Sequence, residues 1–337
     1  MEARVARGPG GYETQVGLAA SAGWLQSALR PAGPDAARIY GLWVFMLWIA
    51  AAVFVVVIGT LLYGTFRRRP SSPEFEERPT RKRGATRAIA AGAVATLLIL
   101  FVYLVFDFSV GHALGASRRG AFEIELIGHR WWWEVRYLAP ALPARITTAN
   151  EIHIPAGAPV LVRLRSNDVI HSLWVPDLTG KRDLIPGKRT SIWLQAATPG
   201  VYRGQCAEFC GQQHAKMALL VVADSRADFD RWYAGQVASS AVPTDSVTMR
   251  GRQVFLENAC ALCHAVRGTP AAATIGPDLT HLASRRTIGA GLLQNTRGNL
   301  AGWVLDAQSI KPGVDMPPNH LTPGDLQALL AYLETLR

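Results

Sequence analysis

The sequence predicts a multidomain membrane protein with a hairpin of two transmembrane helices, an antiparallel β-sandwich or barrel, and a small all-α domain at the C-terminus. Three observations lead to this prediction. Two uncharged apolar runs lie in the N-terminal part, short alternating segments follow from Phe122, and helix-like segments surround a paired-cysteine motif near the C-terminus. A chain of 337 residues has room for two or three folded units.

The apolar runs are predicted to form transmembrane helices over 40–66 and 88–108, each long enough at about 1.5 Å per residue to cross a ~30 Å hydrocarbon core. Buried helices of a soluble core are the alternative, but neither run has a polar face. The loop 67–87 between them is rich in Arg and Lys. The positive-inside rule therefore places this loop in the cytoplasm, and it places residues 1–39 and everything after the second helix outside, in the periplasm.

The formal charge of +10 accompanies 49% apolar residues. Nucleic acid is not the predicted partner, because no helix-turn-helix or zinc-finger pattern is present and the basic residues cluster beside the apolar runs. Membrane topology and partner docking explain the charge better. The four cysteines form two pairs with metal or haem spacing, which leaves none for a structural disulfide.

Period-two alternation bounded by Pro and Gly predicts short strands in the region 120–224. The predicted strands cover 122–127, 151–155, 160–165, 191–194 and 217–222. The segment 225–243 is predicted to be a helix followed by a small, Pro-ended linker, and a further domain over 244–337 follows it.

The chain is organised around the stretch from Cys206 to Met217. Cys210 and His214 lie within it, and His171 lies upstream. Thiolate, imidazole and thioether ligands suit copper. Such a loop can hold two copper ions bridged by both thiolates, with one imidazole on each, the thioether on one and a backbone carbonyl on the other. A disulfide, a thiol pair or a copper chaperone of the Sco type are the alternatives.

The pattern Cys-x-Glu-x-Cys-x-x-x-His-x-x-Met, preceded by Asp-Val-Ile-His-Ser at 168–172, resembles the dinuclear copper A (CuA) site of cytochrome c oxidase subunit II. This resemblance implies a cupredoxin-like β-barrel. It implies that Glu208 supplies the carbonyl and that its carboxylate faces a magnesium ion shared with subunit I. A chaperone needs neither this glutamate nor the closely spaced His and Met. The implied metal ligands are His171, Cys206, Glu208, Cys210, His214 and Met217.

Three consecutive tryptophans, Trp131 to Trp133, follow the second apolar run. Tryptophan gathers at membrane interfaces, which is the structural alternative for this run. The run also resembles the aromatic segment of oxidase subunit II, in which the first tryptophan lies over the copper site and passes electrons to it. The resemblance gives Trp131 that position.

The sequence Cys260-Ala-Leu-Cys263-His264 is the attachment motif of a c-type haem, in which the thiols add to the vinyl groups and the histidine ligates the iron. A redox pair or half of a zinc site is the alternative for the two cysteines alone. The surrounding region, 244–337, resembles an all-α class I cytochrome c. That likeness implies His264 and Met316 as the axial ligands.

Three other side chains in this region could compete for the haem or support it. His281 and His320 are possible rival ligands, and we predict that both are solvent-exposed surface histidines. Met249 precedes the attachment motif, and we predict that it belongs to the core of the domain.

The two motifs together resemble subunit II of a caa-type cytochrome c oxidase, a haem-copper terminal oxidase, with a fused cytochrome c domain. The implied partners are subunits I and III, the lipid membrane, and an external cytochrome c or a cytochrome bc complex as donor. The implied function is electron transfer from haem c to CuA and on to subunit I, where oxygen is reduced to water with proton translocation. A nitric oxide or nitrous oxide reductase and a membrane-anchored copper-delivery protein are the alternatives. One departure is that no carboxylate stands near the start of the second span, where many relatives carry the Glu of a proton-uptake pathway.

Overall fold

The computed structural model describes residues 26–67, 79–116, 118, 122–138 and 145–337. The N-terminal segment predicted over 1–39 is therefore described only from residue 26. The predicted cytoplasmic loop 67–87 lies outside the described residues between 68 and 78. The described chain divides into a membrane-type unit over 37–117 and a second unit that contains residues up to 36 and from 118 onward.

The first unit consists of two long helices, α1 (Pro34–Phe66) and α2 (Pro79–Gly115). No residue in the most apolar stretch of each helix is buried within the described structure. Phe45 and Phe106 make an edge-to-face contact between the helices, with ring centroids 5.3 Å apart. Helices of this length whose apolar surface is uncovered by protein are typical of membrane spans. The prediction of two apolar membrane helices is confirmed.

The second unit begins with a β-domain of two five-stranded sheets. One sheet has the order β3-β2-β1-β5-β8 and the other has the order β4-β10-β9-β6-β7. The strands are β1 (Phe122–His129), β2 (Trp132–Tyr137), β3 (Ile146–Ala149), β4 (Glu151–Pro155), β5 (Val160–Ser166), β6 (His171–Trp174), β7 (Lys181–Leu184), β8 (Thr190–Leu194), β9 (Gly200–Cys206) and β10 (Ala218–Asp224).

The expectation of a purely antiparallel β-domain is wrong. Strand β1 runs parallel to β5, and β4 runs parallel to β10. Each sheet therefore holds one parallel pair, because the chain crosses between the sheets instead of returning through hairpins alone. Alternate side chains of both sheets, such as Leu126, Val162 and Leu173, are fully buried in one shared core.

The predicted helix after the β-domain is α3 (Arg226–Val237), and Phe229 and Tyr233 on one of its sides are buried. The C-terminal domain then contains mainly short helices and one small hairpin, β11 (Thr287–Ile288) with β12 (Leu293–Gln294). Its helices are α4 (Ser246–Glu257), α5 (Cys260–Cys263), α6 (Arg297–Leu305), α7 (Ala307–Ile310) and α8 (Pro323–Leu333). The predicted class of the whole chain, membrane helices followed by a β-domain and a helical domain, is confirmed.

The C-terminal domain has its own core, which is separate from that of the β-domain. Helices α4 and α8 cross at Gly251, where an added Cβ would lie 1.9 Å from the carbonyl oxygen of Ala328. Only glycine permits this approach. Tyr332 and Phe255 pack beside the crossing and are almost fully buried.

Candidate metal centres

The stretch from Cys206 to Met217 forms a loop between β9 and β10. The amide of Cys206 donates to the carbonyl of Met217 over 2.8 Å, which closes the base of the loop. The amide of Ala207 donates to the carbonyl of Ser172 over 2.9 Å, which joins the loop to β6. His171 is the first residue of β6. Two strands of one sheet therefore deliver the predicted ligands to one place.

The sulfur and nitrogen atoms of this loop lie at ligand-to-ligand separations. Cys206 Sγ is 3.7 Å from Cys210 Sγ and 3.9 Å from His171 Nδ1. Cys210 Sγ is 3.6 Å from His214 Nδ1 and 3.9 Å from Met217 Sδ. A tetrahedral metal with bonds of about 2.0–2.3 Å brings two of its ligand atoms to roughly 3.3–3.8 Å from each other. The donor set is soft and borderline, and so it fits copper.

The two cysteines share one buried site and differ in their affinity for a proton. The hydrogen bond with Cys210 is the largest cause that lowers the pKa of the Cys206 thiol, and His171 and the backbone at Glu208 act in the same direction. The pKa of the Cys210 thiol is raised, first by its bond to Cys206 and then by burial. Cys206 is therefore prepared as a thiolate, the form that binds metals.

His171 is held from its far side by a carboxylate. Its side chain is fully buried, and its Nε2 lies 2.8 Å from Asp168 Oδ1. The carboxylate also accepts bonds from the amides of Arg130 and Val169. A metal-binding histidine commonly gives its second nitrogen to such a partner, which fixes the orientation of the ring. Asp168 therefore points Nδ1 of His171 toward the cysteine sulfurs.

Glu208 lies at the exposed side of the loop. Its backbone carbonyl is 3.2 Å from Cys206 Sγ, so it is close enough to join the cluster. The residue itself is exposed, and the adjacent Phe209 is 76% exposed. The predicted position of the carbonyl and the exposed carboxylate are both compatible with the roles that the resemblance implies.

Trp131 lies directly over the loop and is 7% exposed. Its indole Nε1 donates to the carbonyl of Cys210 over 2.9 Å. Gly211 has a φ of +110°, and a Cβ there would lie 3.2 Å from the Trp131 ring. The loop thus turns under the indole at a residue without a side chain.

The cysteine pair of the C-terminal domain lies on the single turn α5, and both residues are partly exposed. His264 follows and directs its Nδ1 at the carbonyl of Pro277 over 2.7 Å. This contact leaves Nε2 as the free nitrogen of the ring. A Cβ on Gly276 would lie 2.7 Å from His264 Cε1, so the ring occupies a cradle that only glycine leaves open. The thiols and the oriented imidazole fit a haem group.

Met316 lies in the segment after α7 and is partly exposed. Its carbonyl accepts a bond of 3.0 Å from the side chain of Gln308. This bond holds the backbone at Met316. Among the contacts of the described residues there is none between the Met316 sulfur and His264.

Two expectations about neighbouring side chains are wrong. His281 is 3% exposed, because its ring lies between the carbonyls of Arg337 and Ala238 at 2.7 and 3.1 Å. These two contacts of the His281 ring join the linker to the C-terminus, so His281 is not a surface residue. Met249 is 50% exposed, since the inner face of α4 is formed by Gly251, Val254 and Phe255 instead. His320 is exposed, as predicted.

The sequence interpretation missed two residues that join the domains. Lys311 is buried against Trp131, and Glu151 on β4 accepts bonds from the amides of Arg286 and Thr287 at 2.6 and 3.1 Å. Neither belongs to a recognisable motif. Asp168 did carry a signal, because it stands in the same short motif as His171.

Comparisons with known proteins match both domains of the second unit to known families. The family described as cytochrome c oxidase subunit II, periplasmic domain, matches residues 137–224, and the cytochrome c family matches residues 248–337. Cytochrome c oxidase subunit 2 of Alkalihalophilus pseudofirmus is 36% identical, over 92% of this chain and 91% of that relative. Its counterpart in Bacillus sp. strain PS3 is 31% identical, over 81% of this chain and 80% of that relative.

A solved structure, the periplasmic domain of subunit II of cytochrome oxidase from Bradyrhizobium japonicum, is 26% identical and covers 36% of this chain and 97% of its own, with a TM-score of 0.34. The two domain families imply a copper centre in the β-domain and a haem in the C-terminal domain. The extent of the sequence identity shows that the chain belongs to the cytochrome c oxidase subunit 2 family, with a cytochrome c domain at its C-terminus.

Proposed function

We propose that this chain is the electron-accepting subunit of a caa-type cytochrome c oxidase. Electrons enter at a haem c bound covalently to Cys260 and Cys263, pass to a dinuclear CuA centre in the β-domain, and continue to subunit I. Oxygen is reduced to water there, coupled to proton translocation. The haem and the copper pair supply one-electron redox chemistry, and the residues of this chain bind and orient them.

The observation that carries this proposal is the position of Trp131 between the copper loop and the cytochrome domain. On one side its indole Nε1 donates to the carbonyl of Cys210. On the other side its backbone carbonyl accepts from Lys311 of the cytochrome domain, 2.8 Å away. One residue thus contacts both the copper loop and the domain that carries the haem motif. This placement supports Trp131 as the residue through which electrons reach the copper site.

The proposed roles of the ligands follow from their surroundings. Cys206 and Cys210 would supply the thiolates for the copper ions, His171 and His214 one imidazole each, Met217 a weak thioether ligand and Glu208 its carbonyl. The buried, hydrogen-bonded setting limits movement of these groups between redox states. The Glu208 carboxylate, exposed on the loop, is proposed to bind magnesium together with subunit I.

The haem ligands are proposed to be His264 and Met316. The bond from His264 to the Pro277 carbonyl fixes the ring with Nε2 available. A His/Met pair raises the reduction potential of a haem, which suits a donor to CuA.

The β-domain and the cytochrome domain are proposed to face the periplasm, with the helix pair in the cell membrane. Support comes from the residues next to the two helices. The amide of Ala32 bonds to the carbonyl of Asp177 over 2.7 Å, and Arg118 pairs with Asp35. The segments that precede and follow the hairpin therefore both belong to the β-domain side. Subunits I and III and an external cytochrome c or cytochrome bc complex are the proposed partners.

The relay is tested by Trp131→Ala in the full-length chain, with the haem reduced by a light-activated donor and the copper absorption followed in time. We expect haem-to-copper transfer to slow at least about tenfold, which corresponds to ~1.4 kcal/mol in the barrier. Trp132→Ala is the matched control, because Trp132 is only partly buried and stacks on His129 instead. An unchanged rate in the Trp131 variant with copper retained would contradict the role.

A further inference from the structure

Lys311 is a buried lysine outside both candidate centres. It is 1% exposed and ranks with the aromatic core residues among the largest fully buried side chains described. Lysine is almost never fully buried unless its amine has partners, because an unsatisfied buried polar group costs free energy. The burial of Lys311 therefore indicates that its amine has a specific structural role at this position.

The amine of Lys311 bridges the two domains. Its Nζ donates to the carbonyl of Trp131 over 2.8 Å and to the carbonyl of Gly289 over 3.0 Å. An amine has at least two N–H bonds in either protonation state, one for each of these carbonyls. Burial is the main cause that lowers the pKa of Lys311 to about 7, and the charge of Lys216 acts in the same direction.

The residues on either side of Lys311 are also fixed to the copper loop. The carbonyl of Ile310 accepts from Lys216 Nζ over 3.1 Å, and the carbonyl of Pro312 accepts from Gln213 Nε2 over 2.7 Å. We call residues 310–314 the docking segment. A Cβ on Gly313 would lie 3.5 Å from the Trp131 ring, so the segment is in contact with the indole.

A second strip of the cytochrome domain lies beside the same loop. The amide of Ala218, the residue after Met217, donates to the carbonyl of Ala290 over 2.9 Å. Ala290 is adjacent to Gly289, which is one of the two carbonyl partners of Lys311. The lysine thus lies where the docking segment, the β11–β12 turn and Trp131 meet.

We propose that Lys311 is a positioning residue that holds the docking segment against Trp131 and so fixes the geometry between the two centres. The docking segment ends two residues before the proposed haem ligand Met316. The docking part of this inference stands on the contacts alone, whereas its effect on transfer rests on the proposed function. Loss of the amine loosens the segment from the indole without removing any copper ligand or any of the four proposed haem-binding residues.

The burial of the amine is tested first on the wild-type, full-length chain. Brief acetylation with acetic anhydride should modify Lys311 at least about tenfold more slowly than Lys188, an exposed lysine of the β7–β8 connection, because Lys311 reacts only when the interface opens. Equal rates at the two lysines would overturn the proposal. This measurement needs no variant to fold.

The second test compares Lys311→Met with Lys311→Arg and with the control Lys188→Met, all loaded with copper and haem. Hydrogen exchange of the Ala218 amide should become about 10- to 100-fold faster in Lys311→Met, because the two buried hydrogen bonds of the amine are lost. The haem-to-copper rate should fall by about tenfold, because the relay loses its fixed geometry. Lys311→Arg, which keeps side-chain N–H donors at this position, should restore much of the slow exchange at Ala218 and much of the transfer rate.

Unchanged exchange at Ala218 in Lys311→Met would overturn the docking role. Faster exchange with an unchanged transfer rate would overturn the positioning role. If the wild-type chain itself shows no haem-to-copper transfer, the proposed function fails, and the exchange and acetylation results still decide whether Lys311 holds the domains together.

Discussion

The copper loop and the haem motif are two candidate centres of one chain, and the fold prepares them to different degrees. Four of the six proposed copper ligands, His171, Cys206, Cys210 and Met217, are at most 3% exposed, and the ligand atom of each lies within 3.9 Å of another. In the motif, Cys260, Cys263, His264 and Met316 are only partly buried. Among the side chains of these four described residues, only the His264 ring makes a hydrogen bond.

The difference follows from the elements that carry each centre. The proposed copper ligands lie at the start of β6, at the end of β9 and in the loop between β9 and β10, and these three strands belong to one sheet and are joined by backbone bonds at the base of the loop. The haem-binding residues lie on the one-turn helix α5 and on loops far apart in sequence. We infer that the β-domain forms its site by folding, whereas the cytochrome domain needs the haem to complete its own core.

The largest predicted effect comes from removing the cysteines of each centre in turn. The double change Cys260→Ala and Cys263→Ala should abolish the cooperative unfolding of the cytochrome domain, a loss of about 5–15 kcal/mol, which is the whole stability of a typical domain. Circular dichroism and calorimetry of the full-length chain measure this.

The matched double change Cys206→Ser and Cys210→Ser should abolish copper binding and leave a folded β-domain with a lower melting temperature, because only the stabilisation by the bound metal is lost. A β-domain that fails to fold without these thiols, or a cytochrome domain that folds without its cysteines, would reverse the comparison.

A smaller effect is expected from the support behind His171. Asp168→Asn keeps the shape of the side chain and removes its charge, so the ring is held less firmly and is a weaker base. Copper affinity should fall by about 10- to 100-fold, the usual range for such a partner, as measured by competition with a chelator. Asp177→Asn, at a half-buried carboxylate outside the copper loop, should leave the affinity unchanged. Equal affinities in all three proteins would show that the sheet alone orients the histidine.

Glu151 extends the comparison to the contact between the domains. Burial raises the pKa of this carboxyl above its ordinary value, although bonds from the amides of Arg286 and Thr287 oppose the shift. A carboxyl with a raised pKa in the folded chain contributes its full stability below about pH 4.5 and loses it as the pH rises through the raised value.

The stability of wild type relative to Glu151→Gln should therefore decrease as the pH rises above about 4.5, by at most ~1.4 kcal/mol per pH unit, in thermal melts of the full-length chain. Glu123→Gln should show the opposite dependence at lower pH, since Arg163 lowers the pKa of Glu123: the stability of wild type relative to this variant should decrease as the pH falls below about 4.5. A flat difference for Glu151→Gln would contradict the burial of a charged carboxylate at this interface.

The sequence predicted both candidate centres and about half of the strands. Ligand motifs are local, so Cys206 to Met217 and Cys260 to His264 could be recognised from spacing alone. Strands β2, β3, β6, β7 and β9 were not predicted. Strand β9 carries Gly200 and Gly204, and β2 begins within the tryptophan run, so neither shows a clean alternation of apolar and polar residues.

The contact between the domains could not be predicted, because it depends on tertiary structure. Lys311 and Glu151 are charged residues in ordinary surroundings, and charged side chains are normally exposed. Each is buried only because carbonyls or amides of the other domain satisfy it. His281 was wrongly placed at the surface because its burial also depends on tertiary structure, through the carbonyls of the linker residue Ala238 and of Arg337.

The central claim is that the loop after β9 holds two copper ions bridged by Cys206 and Cys210. Electron paramagnetic resonance of the copper-loaded, full-length chain with its haem matured tests this most directly. The account predicts hyperfine structure from one unpaired electron shared equally by two copper nuclei, beside a low-spin haem signal. Hyperfine structure from a single copper nucleus, or copper that a chelator removes readily, would contradict it and favour a copper-delivery role for the loop.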